Sequence, residues 1–170
     1  MQPQLKILAS ILVFGALVSS AIAQSQTRHT VRRELEAKYA KVVEAYRNKD
    51  IKAFMEDKTP DFTGKSLNGS VATREQVEAS VKQHMERIKK LNYLKIEIGN
   101  ITVTGDVAVA ITAQEFSRVV TDAQGQEHTV VSKGTTHRDT WVRTENGWKI
   151  KSVEELTQGT EVIDGQADKQ

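Results

Sequence analysis

The sequence predicts an α+β fold in which three N-terminal helices cover one face of an antiparallel sheet of about four long strands and a short one. Three observations carry this. Apolar residues recur at helical spacing in the first half of the mature chain and at alternate positions in the second half. A Thr73-Arg74-Glu75-Gln76 capping box opens the last helix. An Asn146-Gly147 turn then joins two runs of strand character, His137–Arg143 and Trp148–Ile150, with a tryptophan on each arm.

The elements follow in order. Val31, Leu35, Tyr39, Val42, Val43 and Tyr46 place a first helix over about 29–48. Asp50 is a suitable cap for a short second helix ending near Met55. Thr59-Pro60-Asp61 marks a loop, because proline moves its predecessor out of helical geometry. Residues 61–69 form a short strand and turn, with Gly64 and Asn68-Gly69 as turn residues. Val77, Val81, Met85, Ile88 and Leu91 extend a third helix over 74–91. Leu94, Ile96 and Ile98 then alternate with charged residues, and Gly99-Asn100 marks a bulge before Ile101 and Val103. Gly105-Asp106 turns into a long strand at 107–120, and the segment 122–126 turns into a second at 128–143, bent at Gly134. Trp148 to Leu156 is the last strand, and the polar residues 157–170 read as a frayed tail.

Residues 1–23 have the pattern of a secretory signal peptide. Lys6 gives a positive start, an apolar stretch reaches Val18, and Ala21-Ile22-Ala23 is a small-x-small site with cleavage expected after Ala23. The apolar run is short for a membrane span, so no membrane association is expected after cleavage. Residues 24–30 read as a flexible lead-in, and 31–156 as one domain. The chain has 170 residues, 27% of them charged, and a formal net charge of +2. Losing residues 1–23 removes Lys6 and no acid, leaving 23 basic against 22 acidic residues. Such a balance, with basic residues no more clustered than the pairs Arg32-Arg33 and Lys89-Lys90, argues against nucleic-acid binding. The absence of cysteine removes disulfides, thiolate catalysis and thiolate metal sites, which suits a periplasmic or secreted bacterial domain held by its core alone.

Period-two alternation puts Thr135, His137, Asp139, Trp141 and Arg143 on one face of their strand. The hairpin register sets them beside Trp148, Ile150, Ser152 and Glu154, and the two tryptophans mark that face as the inner one. Glu115 is expected to join them, on the face of Val107, Val109 and Ile111. A histidine and a carboxylate converging in an apolar cavity are the ingredients of general acid–base chemistry, whereas a structural ion pair is the plain alternative. Tyr46, Asp61, Glu115, Trp141 and Trp148 are the expected pocket lining around His137 and Asp139, although a turn-capping role also suits Asp61. His84 reads as a satisfied core or rim histidine, and His29 and His128 as exposed. His137 and Asp139 could give two metal ligands without a third, so neither metal nor cofactor is expected.

The order of elements, together with Asp50, Pro60-Asp61-Phe62, Gly69, Val103–Val109 and Asp139-Thr140-Trp141-Val142 leading to Gly147-Trp148-Lys149-Ile150, resembles the nuclear transport factor 2-like superfold over about residues 30–156. That group includes SnoaL-like polyketide cyclases, ketosteroid isomerases and the association domain of calcium/calmodulin-dependent kinase II. The likeness is greatest to exported bacterial SnoaL-like domains. It implies a cone-shaped curved sheet with a pocket at its mouth and a homodimer formed through the sheet. Compared with ketosteroid isomerases, the position of the acidic base holds Ser66 or Lys65, and the oxyanion tyrosine falls at Val42, with Tyr39 and Tyr46 a turn to either side. Only Asp139 lies within one residue of its counterpart. SnoaL-like cyclases use a pocket aspartate and histidine, roles that His137 and Asp139 match by type and face.

Three functions follow as expectations. The first is an exported domain that binds an unidentified small molecule. The second is a cofactor-free cyclase, isomerase or dehydratase. The third is a dimeric interaction module that uses the outer sheet face. A deep cavity containing His137 and Asp139 favours the enzyme, an apolar cavity without them the binder, and a collapsed cavity the module.

Overall fold

The computed structural model describes residues 8–167, and side chains from 27 to 166. Residues 1–7 of the expected targeting segment therefore lie outside the described residues. Helix α1 spans Leu8–Arg47 without a break, so residues 24–30, expected as a flexible lead-in, are helical. Its packed stripe is Val31, Leu35, Tyr39 and Ala45, all buried. Asp50 caps α2 (Ile51–Glu56), accepting a 2.9 Å bond from the Ala53 amide. The capping box at Thr73 and Gln76 forms in both directions and starts α3 (Arg74–Arg87).

The strands are β1 (Lys58–Lys65), β2 (Val71–Thr73), β3 (Ile88–Thr104), β4 (Val107–Thr121), β5 (Glu127–Thr144), β6 (Gly147–Thr157), β7 (Thr160–Ile163) and β8 (Gln166–Ala167). They form one curved, open sheet in the order β2-β1-β6-β5-β4-β3, antiparallel except for the parallel pair β1–β6. Bulges set the curvature. One lies at Gly99, where Arg32 of α1 donates to the Ile98 and Gly99 carbonyls at 2.8 and 2.9 Å and so fixes the helix to the bend. Another lies at Gly134, whose φ of +80° is a conformation only glycine adopts without strain. The core joins α1 to the inner faces of β3–β6 through Val31, Leu35, Tyr39, Ile98, Trp141 and Trp148.

Four expectations are corrected. The third helix ends at Arg87 rather than 91, because buried Ile88 pairs with Val120 and joins the sheet ladder. Pro60 lies within β1 rather than in a loop, in a stretch where pairing with β6 is interrupted and no amide hydrogen is needed. Part of the tail is sheet rather than frayed, since β7 pairs with Val130–Lys133 of β5 and β8 returns on β7. His128 is half-buried rather than exposed and holds that return in place, bonding Asp122 at 3.1 Å and Asp164 at 2.7 Å. Among the described residues no helix is long and apolar enough to cross a membrane.

Candidate functional site

The concave side of the sheet, α1, α2 and α3 enclose a cavity of about 530 Å³, the size of a small-molecule site. Its walls are largely apolar, with Val42, Phe54, Val77, Val81, Leu94 and Ile96 among them. Thr112, Gln114, His137, Asp139 and Glu155 line it from β4, β5 and β6, which lie side by side, and Lys58 and Lys65 from β1.

Asp139 is the centre of that group. It is 3% exposed, and Ala110 and Val153 flank it on the neighbouring strands. Its Oδ2 accepts from the Tyr39 hydroxyl at 2.5 Å and from the Thr112 hydroxyl at 3.1 Å. Trp141 Nε1 donates in turn to the Tyr39 oxygen at 3.1 Å, and the two rings meet edge to face at 5.4 Å. Asp139 Oδ1 is buried without a hydrogen-bond partner among the described residues. Burial drives the Asp139 pKa upward against the opposing pull of the Tyr39 and Thr112 bonds and of His137 and Lys58. Oδ2 already holds two donors, so a neutral Asp139 carries its proton on Oδ1. Burial also raises the Tyr39 pKa, and the neighbouring Asp139 adds to the effect, which keeps the phenol a donor.

Lys58 is a half-buried charge on the same cavity wall. Its Nζ donates to the Phe54 carbonyl at 2.7 Å and lies 3.6 Å from the Phe54 ring centroid and 5.5 Å from that of Phe62. Burial lowers its pKa to about 8, with Arg74 adding to the drop, while Asp57 and Asp139 pull the other way. Asp57 is itself taken up by Lys38 at 2.6 Å and Lys149 at 3.3 Å. Lys58 and Asp139 are close enough for each to alter the other's ionisation.

Of the residues expected at the site, His137, Asp139, Tyr46 and Trp141 line the cavity, and Asp61, Glu115 and Trp148 do not. Asp61 is exposed and pairs with Lys151 at 3.3 Å. Glu115 is across from Lys95 on the outer face, because β4 turns Ala108, Ala110, Thr112 and Gln114 inward rather than its valines. The alanines are opposite Trp141 and Asp139, where only a small side chain fits beside the indole. Trp148 is buried in the core away from the cavity and donates to Glu34 at 2.8 Å. A bulge at Lys151 reverses the alternation of β6, so Val153 and Glu155 face inward in place of Ser152 and Glu154. Glu155 then stands across from His137, and Glu154 binds Lys65 and Arg138 outside.

Sequence reasoning missed Lys58, Thr112 and Glu155 as site residues and named Tyr39 only as a neighbour of Val42. The seven-residue spacing of Tyr39 and Tyr46 on one helical face was a usable signal. Nothing local marked Lys58. His84 is satisfied, paired with Arg118, and burial foremost, then Arg118 and Arg87, lowers its pKa to about 4. Among the described residues no three His, Asp or Glu side chains could share a metal ion.

The model of the SnoaL-like domain matches residues 24–154. The chain belongs to the SnoaL-like domain family. Solved structures share its fold at low identity. A conserved protein from Planctomyces limnophilus is 16% identical, with a TM-score of 0.63 over 80% of this chain and 99% of that one. A proposed dehydratase of the nuclear transport factor 2-like family from Streptomyces avermitilis is 17% identical, with a TM-score of 0.60 over 75% and 96%. A nuclear transport factor 2-like superfamily protein from Salmonella enterica is 18% identical, with a TM-score of 0.58 over 77% and 93%. No curated protein matches the sequence. This SnoaL-like chain is thus a pocket-bearing domain with a curved, unclosed sheet.

Proposed function

We propose that this SnoaL-like domain binds a small, mostly apolar molecule. The observation that supports this reading is a largely apolar cavity of about 530 Å³ with Asp139 among a few polar groups on its wall. Native mass spectrometry of the protein purified from its own host tests the proposal. A retained small molecule, lost in Asp139→Ala, supports it. Protein that carries nothing and binds no member of an apolar fragment set counts against it.

A second reading is cofactor-free acid–base catalysis. His137 and Asp139 share one wall of the cavity and Glu155 faces His137, which supports it. Neutral Asp139 would give its Oδ1 proton to a substrate oxygen as charge develops there, and His137 or Glu155 would take a proton from carbon. The activity suggested for the Streptomyces avermitilis neighbour is of this type. Unchanged turnover in His137→Ala and Asp139→Ala would end this reading. The open cavity weighs against the interaction module, which a collapsed cavity would have favoured.

Export and self-association belong to the same proposal. The charge, apolar stretch and Ala21-Ile22-Ala23 pattern support cleavage after Ala23, and exported protein beginning at Met1 would refute it. The outward face of β4, with Val107 at 40% exposed beside Val109 and Ile111, supports a homodimer through the sheet. A monomeric mass by light scattering at micromolar protein would refute that.

A further inference from the structure

We infer that the ligand of this cavity carries a carboxylate, seated on Lys58 Nζ. The inference rests on the binding reading above and adds the chemical class of the ligand. Lys58 is a half-buried ammonium on the cavity wall with one hydrogen bond, to the Phe54 carbonyl, and among the described residues it has no carboxylate within ion-pair distance. The Phe54 and Phe62 rings, which line the cavity with it, pack against the ammonium and limit the water that reaches its charge. Among the described residues none of the cavity's acids, Asp57, Asp139 or Glu155, forms an ion pair with it. Asp57 holds Lys38 and Lys149, and Asp139 commits Oδ2 to Tyr39 and Thr112.

The donors left over define the ligand. The ammonium has two hydrogens unspent. A pair of acceptor oxygens with a single negative charge uses both and cancels one lysine charge. Of the other cations on the lining, Lys65 is paired with Glu154 and Lys41 lies exposed at the rim, while Glu155 would repel a second negative charge on the ligand. The apolar remainder of the ligand would lie against Val42, Val77, Val81 and Leu94. An anion beside Lys58 also reverses the lowering of its pKa to about 8, so binding above that pH takes up protons.

Isothermal titration with 4-phenylbutyrate and its neutral analogue 4-phenylbutanamide tests this, using the wild type, Lys58→Met and Lys58→Gln. A charge-assisted contact predicts that the wild type binds the carboxylate about 10- to 100-fold more tightly than the amide. Both variants should bring the two probes to parity. At a pH of about 8.5, titrations in buffers of different ionisation heat should show net proton uptake with the carboxylate alone. Equal or tighter binding of the amide by the wild type overturns the carboxylate seat and leaves the binding reading intact. A carboxylate preference that survives in a variant with the wild-type far-UV spectrum removes Lys58 from the role. Failure of both probes to bind overturns the seat and the binding reading together.

Discussion

Replacing Lys58 by methionine keeps most of the volume and the unbranched stem and removes the charge. The folded state holds this amine at a pKa of about 8, against the ordinary lysine value of 10.5. That difference corresponds to a penalty of about 3 kcal/mol for keeping the ammonium in the folded protein at neutral pH. The sign follows from proton binding. Between these two pKa values the unfolded chain holds more protons than the folded one, so wild-type stability rises with pH across that window. Below it the penalty is fully present, and above it the penalty is gone. The substitution also forfeits the bond to the Phe54 carbonyl and the aromatic contacts, together about 1–2 kcal/mol. Lys58→Met is therefore expected to be about 1–2 kcal/mol more stable than the wild type at a pH of about 7. The advantage should shrink and then reverse towards a pH of about 10, as the wild type loses its penalty. Urea unfolding at half-unit pH steps, followed by tryptophan fluorescence, measures both curves. Other groups that titrate here, such as Tyr46 with its burial-raised pKa, cancel in the difference. A stability difference that stays constant from neutral to alkaline pH would refute the desolvation argument and weaken the case for Lys58 as a ligand seat.

Three further outcomes are expected. Asp139→Ala strands the Tyr39 and Thr112 hydroxyls and should cost about 1–3 kcal/mol by urea unfolding, whereas Asp139→Asn keeps an acceptor for both. Because the folded state raises the Asp139 pKa above its ordinary 3.8, wild-type stability should fall as pH rises through that window. Asp139→Asn should lack that fall, and curves that stay parallel as pH rises above the ordinary carboxylate range would contradict it. Gly159→Ala places a methyl group 2.4 Å from the Lys133 carbonyl oxygen at a φ of +73°. It should release β7 and strip the amides of Thr160–Ile163 of protection from hydrogen exchange, and unchanged protection would refute this. Thr73→Ala removes the cap of α3 and should cost about 1 kcal/mol, read as a shift in the urea midpoint at constant slope.

The element order was legible because its signals are local. The capping box, the Asp50 cap, the turns at Gly69, Gly105 and Gly125 and the Gly99 bulge each depend on a few neighbouring residues and form where they were expected, whereas Gly64, read as a turn residue, is paired within β1. Boundaries failed where long-range pairing outweighed local pattern. Ile88 fits a helical period, yet a partner strand lies across from it, and Val162, Ile163 and the Asp164-Gly165 turn were apolar and turn signals within a segment read as polar. At the site, His137, Asp139 and Trp141 were readable because alternation along one strand survived from Thr135 to Arg143. Glu155 was not, since one extra residue at Lys151 inverts every side chain beyond it. Glu115 was misplaced because β4 has apolar residues on both faces, and the larger ones point outward.

By itself, the sequence determined the α+β class, the order of helices and strands, and the strand that supplies His137 and Asp139, all consequences of periodicity and turn chemistry within short windows. Only the tertiary structure decided which oxygen of Asp139 is spent on Tyr39 and Thr112 and which is left over, and that Lys58 is half-buried without a counter-ion. These depend on groups up to 100 residues apart meeting in one apolar space, where the same carboxyl and ammonium that water would solvate must instead find partners.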